Sequence, residues 1–209
     1  MRESRIIPAL PESALLSAAE VLIICAARFL VLEMGDKSIL VTGRPGVGKT
    51  TLVRNVARQT TGAGGFYTEE VREDGVRAGF DIVTLDGQRE VLSSVHRRLG
   101  PRVGQYIVSI EGVDGMAVPA VEKAIADGRL VVIDEIGKME LYSDKFKEVT
   151  IRALNSDVPV LATIMSRPEA FCDAIKLRDD VELVVVTLEN RNELADRLLS
   201  TLRTLLSNR

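Results

Sequence analysis

Two cysteines, one histidine and no excess of basic residues set the first limits on this 209-residue chain. Cys25 and Cys172 stand far apart and in no CxxC arrangement, so neither a zinc site nor a disulfide framework is expected. The single His96 removes histidine-rich metal sites. A chain without disulfides suits a reducing cytoplasm, which is its expected location. Lys and Arg total 27 against 30 Asp and Glu, a formal net charge of −3, and that balance argues against a dedicated nucleic-acid binder. The sequence has no internal repeat, no low-complexity tract and no guanine-reading NKxD motif. With 46% hydrophobic residues it can still build a real core, on the scale of one domain with a small insertion.

One apolar run is long enough to raise the question of a membrane: "ALLSAAEVLIICAARFLVLEMG", residues 14–35. Glu20 and Arg28 sit inside it, and each would cost about 2.5–3.5 kcal/mol near the centre of a membrane helix. Stable membrane association is therefore not expected. The start "MRESR" also lacks the basic region and cleavage site of a signal peptide. What remains is an appended helix, or upstream sequence read from an early start. Met34, followed by Gly35, Asp36, Lys37 and an apolar strand, makes an alternative first residue. The expected organisation is an N-terminal extension over 1–36 and one domain over 37–209.

Beyond Met34 the periodicity is regular. "SILVTG" predicts a buried strand and "GKTTLVRNVARQT" a helix with Leu52, Val53, Val56 and Ala57 on one side. Between about 65 and 110 the runs "GFYTEEVR", "RAGFDIVTL", "REVLSSV" and "GQYIVSI" predict short strands, two of the joins being tight turns at "EDGV" and "DGQ". A helix over 115–128 follows, with Pro119 in its first turn or at a kink. Then come the strand "RLVVIDEIG", a helix near 143–155, the strand "VPVLATI", a short element at 168–176, the strand "VELVVVTL" and a helix from about 191 to 206. Strands alternating with helices imply an α/β fold: a mostly parallel sheet covered on both faces, here carrying a β-rich insertion.

Two stretches carry chemistry. "GRPGVGKTTL" satisfies G-x-x-x-x-G-K-[ST] at Gly43, Gly48, Lys49 and Thr50, between a strand and a helix. Glycines let successive backbone N–H groups point into one concavity, and the helix adds its positive end; such a nest suits a di- or triphosphate. Lys49 would reach the β- and γ-phosphates and Thr50 would ligate Mg²⁺. The expected nucleotide-binding residues here are Gly43, Arg44, Pro45, Gly46, Val47, Gly48, Lys49, Thr50 and Thr51. The second stretch, Leu130, Val131, Val132, Ile133, Asp134, Glu135, Ile136 and Gly137, is a buried strand ending in acids. Asp134 is expected at the metal, with Glu135 orienting or deprotonating the attacking water. Glu135 and Lys49 are thus the catalytic candidates, Thr50 and Asp134 the metal candidates. Lys138 and Glu140 face phosphates, the lytic water or solvent; Asn190 or Asn192 caps the last helix, or Arg191 and its neighbours contact the base or ribose instead. Arg44, Arg167 and Arg191 are open as transition-state arginines, and Arg97 and Arg98 read as a solvated basic loop.

These blocks resemble the THEP1-type nucleoside-triphosphatases, P-loop enzymes related to the cancer-related NTPases. The matching stretches are "PGVGKTTL" (45–52), "GFYTEEVR" (65–72), "GFDIVTLDG" (79–87), "VGQYIV" (103–108), "VIDEIGKMEL" (132–141) and "ENRN" (189–192). The resemblance runs over roughly residues 37 to 205; Arg44 departs from it where proline is usual, and residues 1 to about 35 have no counterpart. It implies Mg²⁺-dependent hydrolysis of nucleoside triphosphates with broad base tolerance, an extra strand between the loop strand and the acidic strand, and Glu135 as the catalytic acid. A kinase, or a nucleotide switch with incidental hydrolysis, stands as the alternative.

Overall fold

A computed structural model describes residues 38–207, and the expected N-terminal extension lies outside them. The β-branched run "SILVT" forms strand β1 (Ser38–Thr42), buried along its whole length. Helix α1 (Lys49–Gln59) follows, then β2 (Ala63–Glu73), β3 (Val76–Thr84), β4 (Arg89–Ser94), β5 (Arg102–Val103) and β6 (Tyr106–Val108). The second half alternates: α2 (Val118–Ala126), β7 (Leu130–Ile136), α3 (Asp144–Asn155), β8 (Val160–Ile164), α4 (Ala170–Lys176), β9 (Val181–Val185) and α5 (Arg191–Ser207).

All these strands join one mixed sheet in the order β5-β6-β4-β3-β2-β7-β8-β1-β9. Its parallel part runs β2-β7-β8-β1-β9, and β8 is the strand inserted between β1 and the acid-bearing β7. The β-rich insertion is no separate body. β2 pairs parallel with β7 on one side and antiparallel with β3 on the other, so the insertion lengthens the central sheet. The β2–β3 turn places both Asp74 (φ 48) and Gly75 (φ 80) in the left-handed region, as a tight hairpin of matching twist requires.

Alternation along the buried strands splits the core in two. Ile39, Val41, Leu130, Val132 and Leu161 meet Leu52, Val53 and Val56 of α1 and Leu194, Leu198 and Leu202 of α5. Leu40, Val131, Ile133, Val160 and Ala162 face the other way, towards Val121 of α2, Phe146 and Val149 of α3 and Ile175 of α4. One boundary differs from expectation. The chain turns helical already at Ile110–Gly112, where the Ser109 hydroxyl accepts from the Gly112 N–H at 3.1 Å. It then passes through a π-helical stretch, Val113–Ala117, before α2 begins. Pro119 has no N–H to donate, and its place in the first turn of α2 is where that loss is tolerated.

Candidate active site

The phosphate-type loop is the link between β1 and α1. Val186 N–H donates to the Thr42 carbonyl at 2.8 Å, which presses the loop's first residue against the segment just beyond β9. Gly43 is required there: a Cβ would stand 2.6 Å from the Val186 carbonyl oxygen. Val47, 7% exposed, anchors the loop in the core, while Arg44, Pro45 and Gly46 are exposed. Gly48 precedes α1 with φ 106 and no side chain caps the helix, so its first N–H groups are free of competition from a capping oxygen. Lys49 Nζ donates to the Gly43 carbonyl at 3.2 Å and so lies back across the loop. Thr51 is exposed. The guanidinium of Arg191, at the start of α5, approaches to 4.0 Å from where a Gly48 Cβ would be.

β7 carries the acids to the same place. Asp134 is fully buried. Its Oδ1 accepts from Thr50 Oγ1 at 3.2 Å and Thr163 Oγ1 at 2.7 Å; its Oδ2 accepts from the Thr68 N–H and Thr68 Oγ1, both at 3.3 Å. Three strands and α1 thus converge on one carboxylate. Burial raises its pKa, and the hydroxyls of Thr163, Thr50 and Thr68, with the Thr68 N–H, pull against that rise. Glu135 is half-buried and its side chain folds over Gly137, where an added Cβ would stand 3.1 Å from both Cγ and Oε1 of the glutamate. Burial raises the Glu135 pKa, the Lys49 charge lowers it, and the neighbouring Asp134 raises it again. Glu140, 4% exposed, is raised well above the ordinary carboxylate range by burial and by the charges of Glu135 and Asp134, against backbone N–H donation from Glu140 and Gly137.

The expected residues divide accordingly. Thr50, Lys49, Asp134 and Glu135 come together. Leu130, Val131, Val132 and Ile133, expected among the nucleotide contacts, are each 0% exposed and packed into the two cores, so their side chains have no surface to offer a nucleotide. Ile136 is likewise core; these positions serve to deliver Asp134 and Glu135. Glu140 is interior, whereas Lys138 is exposed. Asn190 uses its side chain on the preceding turn, accepting from the Thr187 N–H at 2.8 Å and donating to the Val185 carbonyl at 2.9 Å. Arg97 pairs with Glu111 at 3.0 Å, while Arg98, Arg167 and Asn192 are exposed. Thr68 and Thr163 were missed. Thr163 is a buried hydroxyl near the end of β8 and Thr68 a half-buried one in the middle of β2, both weak signals in sequence, though Thr68 lies within the "FYTEEVR" block.

The donor set fits a hard divalent cation. Among the described residues no group of three or more His, Cys, Asp or Glu forms a protein-only metal cage. One hydroxyl and one carboxylate beside a phosphate-type loop match an ion that takes its other ligands from water and phosphate oxygens. No helix among the described residues is long and apolar enough to cross a membrane.

A family model described as "NTPase" matches residues 38–199. The "Nucleoside-triphosphatase THEP1" of Thermotoga sp. (strain RQ2) is 46% identical over 165 residues, covering 79% of this chain and 95% of that protein. The Homo sapiens "Cancer-related nucleoside-triphosphatase" is 41% identical over 175 residues, covering 76% and 92%. The crystal structure of THEP1 from Aquifex aeolicus superposes with a TM-score of 0.74 at 36% identity, covering 79% of this chain and 98% of that one. With the loop, the inserted strand β8 and the paired acids in place, the chain belongs to the NTPase family that includes these THEP1 nucleoside-triphosphatases.

Proposed function

We propose that the protein hydrolyses nucleoside 5′-triphosphates (ATP, GTP, CTP and UTP alike) to the diphosphate and phosphate, with Mg²⁺ as cofactor. The observation that carries this reading is the 3.2 Å hydrogen bond from Thr50 Oγ1 to Asp134 Oδ1, which brings together residues 84 positions apart. It sets the first turn after the loop and the tip of the acidic strand in one crevice. Relatives named as nucleoside-triphosphatases favour hydrolysis over transfer to a second substrate.

The main-chain N–H groups of 43–51 would hold the polyphosphate, with the Lys49 ammonium beside its β- and γ-phosphates. Thr50 and Asp134 would hold Mg²⁺, which supplies charge neutralisation on the phosphate oxygens. Glu135 would orient the water and take its proton; a carboxylate whose proton affinity is raised by burial is a better base for that task. As the water oxygen bonds to the γ-phosphorus, the bond from that phosphorus to the β–γ bridging oxygen breaks. The diphosphate leaves with the electron pair, and the water proton passes to a Glu135 carboxylate oxygen. Nucleotides are the expected partners, and the cytoplasm is the location that the thiol content suits.

Phosphate release from the four triphosphates, with magnesium and with chelator, tests the reading. Release from each, its loss with chelator, and a fall of about 10²-fold or more in turnover for Glu135→Gln with nucleotide still bound are expected. Parent-rate hydrolysis by Glu135→Gln would assign the water to another group, and no release from any triphosphate would end the hydrolase reading.

A further inference from the structure

Thr50 and Thr68 reach one carboxylate, yet they come from elements that the chain joins far from the site. Helix α1 and strand β2 are linked through residues 60–62, about 14 Å along the helix from Thr50. Burial of Leu52, Val53 and Val56 holds α1 against the sheet. That attraction is non-directional and leaves the slide of the helix along β2 to other contacts.

Arg54 supplies a directional one. It stands four residues after Thr50, hence one turn further on the same face of α1. Its Nη1 donates to Glu69 Oε1 at 3.0 Å, and its guanidinium carbon lies 5.5 Å from the centre of the Tyr67 ring. Tyr67 and Glu69 share one face of β2, so a single strand holds the guanidinium at two points. Thr68, between them, is the residue whose N–H and hydroxyl both donate to Asp134 Oδ2 at 3.3 Å. The other Glu69 oxygen accepts from Arg89 of β4, which also donates to Asp81 of β3 at 2.9 Å. The carboxylate that receives Arg54 is thus itself fixed by the β-rich insertion.

Folding stability does not account for this arrangement. The Arg54 and Glu69 side chains are 28% and 30% exposed, and ion pairs so open to water add little to folding. Their placement is the better reason: Arg54 lies one turn from Thr50 and Glu69 one residue from Thr68, the two groups that meet on Asp134.

Building on the reading of Thr50 and Asp134 as magnesium ligands, we infer that the Arg54–Glu69 pair is a positioning device for the cation site. It locks α1 to β2 at the height where the Thr50 hydroxyl and Thr68 converge on Asp134. Arg54 and Glu69 act through those threonines. The grip on the metal depends on the pair, and the grip on the polyphosphate does not.

The test measures, by calorimetry, the affinity of the non-hydrolysable imido analogue of ATP with magnesium and with chelator. Parent, Arg54→Gln, Glu69→Gln and the double variant are compared. The ratio of the two affinities reports what the cation adds, and in the parent it should exceed about tenfold. Each single variant should lower the ratio by about three- to tenfold, leave the affinity in chelator unchanged and melt close to the parent. The double variant should lower it no further than either single one. The two single variants also separate position from charge. If charge alone mattered, loss of the Arg54 cation would raise the ratio and loss of the Glu69 anion would lower it. That pattern, or a parent ratio in both variants, overturns the positioning role and leaves the magnesium reading standing. So does an affinity in chelator that falls as far as the affinity with magnesium, or a melting point far below the parent's. A parent that gains nothing from magnesium removes the cation site and the positioning role together.

Discussion

Glu140 is the residue whose chemistry is least visible in its sequence context, since "GKME" reads as a polar loop. In the fold it is a nearly buried carboxyl beside two other acids, and its pKa is raised well above the ordinary range. A raised folded-state pKa means that the native state holds the proton more tightly than the unfolded chain does. The associated stabilisation is complete below the unfolded carboxylate pKa and is lost as pH rises through the higher folded value. Glu140→Gln keeps the shape and an acceptor oxygen for the backbone N–H groups of 137 and 140, but never acquires the charge. Thermal melts from pH 4 to 8 should show the variant matching the parent at the acid end and gaining on it steadily towards pH 8. A variant less stable than the parent at pH 8 would mean that the Glu140 charge has a compensating partner.

Among the elements, β2 and β8 turn a buried acid into a usable one. Asp134 comes from β7, but the hydroxyls that sustain its charge come from the strands on either side: Thr68 on β2 and Thr163 on β8. Thr163 makes the shorter bond, 2.7 Å, from a fully buried position, while Thr68 makes a 3.3 Å bond backed by its own N–H. A hydrogen bond to a charged group contributes roughly 1.5–3 kcal/mol. Thr163→Val should therefore cost more than Thr68→Val in urea unfolding at neutral pH. Both losses should shrink as pH falls and Asp134 gains its proton; an inverted order, or a loss independent of pH, would rule out this support. The same elements mark how far the sequence could be read. Strand and helix order, the inserted strand and the loop with its acids were legible because period, β-branching and glycine turns act locally. The three threonines around Asp134, the interior position of Glu140 and the π-helical entry to α2 were not, because each depends on which strands become neighbours. Leu130–Ile133 read as nucleotide contacts in sequence for the opposite reason: adjacency to Asp134 carries a residue to the site only when alternation and burial allow it.

At the scale of the whole molecule, the nucleotide machinery falls within one compact unit. Its boundary lies at Asp36, and the family match occupies 38–199 inside it. The described residues of both cores, the loop and all the acids discussed belong to that unit. β1 lies between β8 and β9, so the first strand after the boundary is held from both sides. A chain beginning at Met34 therefore retains the backbone pairings of β1 with β8 and β9 and the threonine side chains that reach Asp134 among the described residues. Deleting residues 1–33 should leave a protein that melts cooperatively, with a midpoint close to that of the full chain, and that releases phosphate from ATP at the parent rate. The decisive comparison is turnover per folded molecule, since a truncated chain recovered in lower yield but equally active would still place catalysis wholly within 34–209. A folded truncation with turnover reduced tenfold or more would show instead that the leading segment contributes to the site.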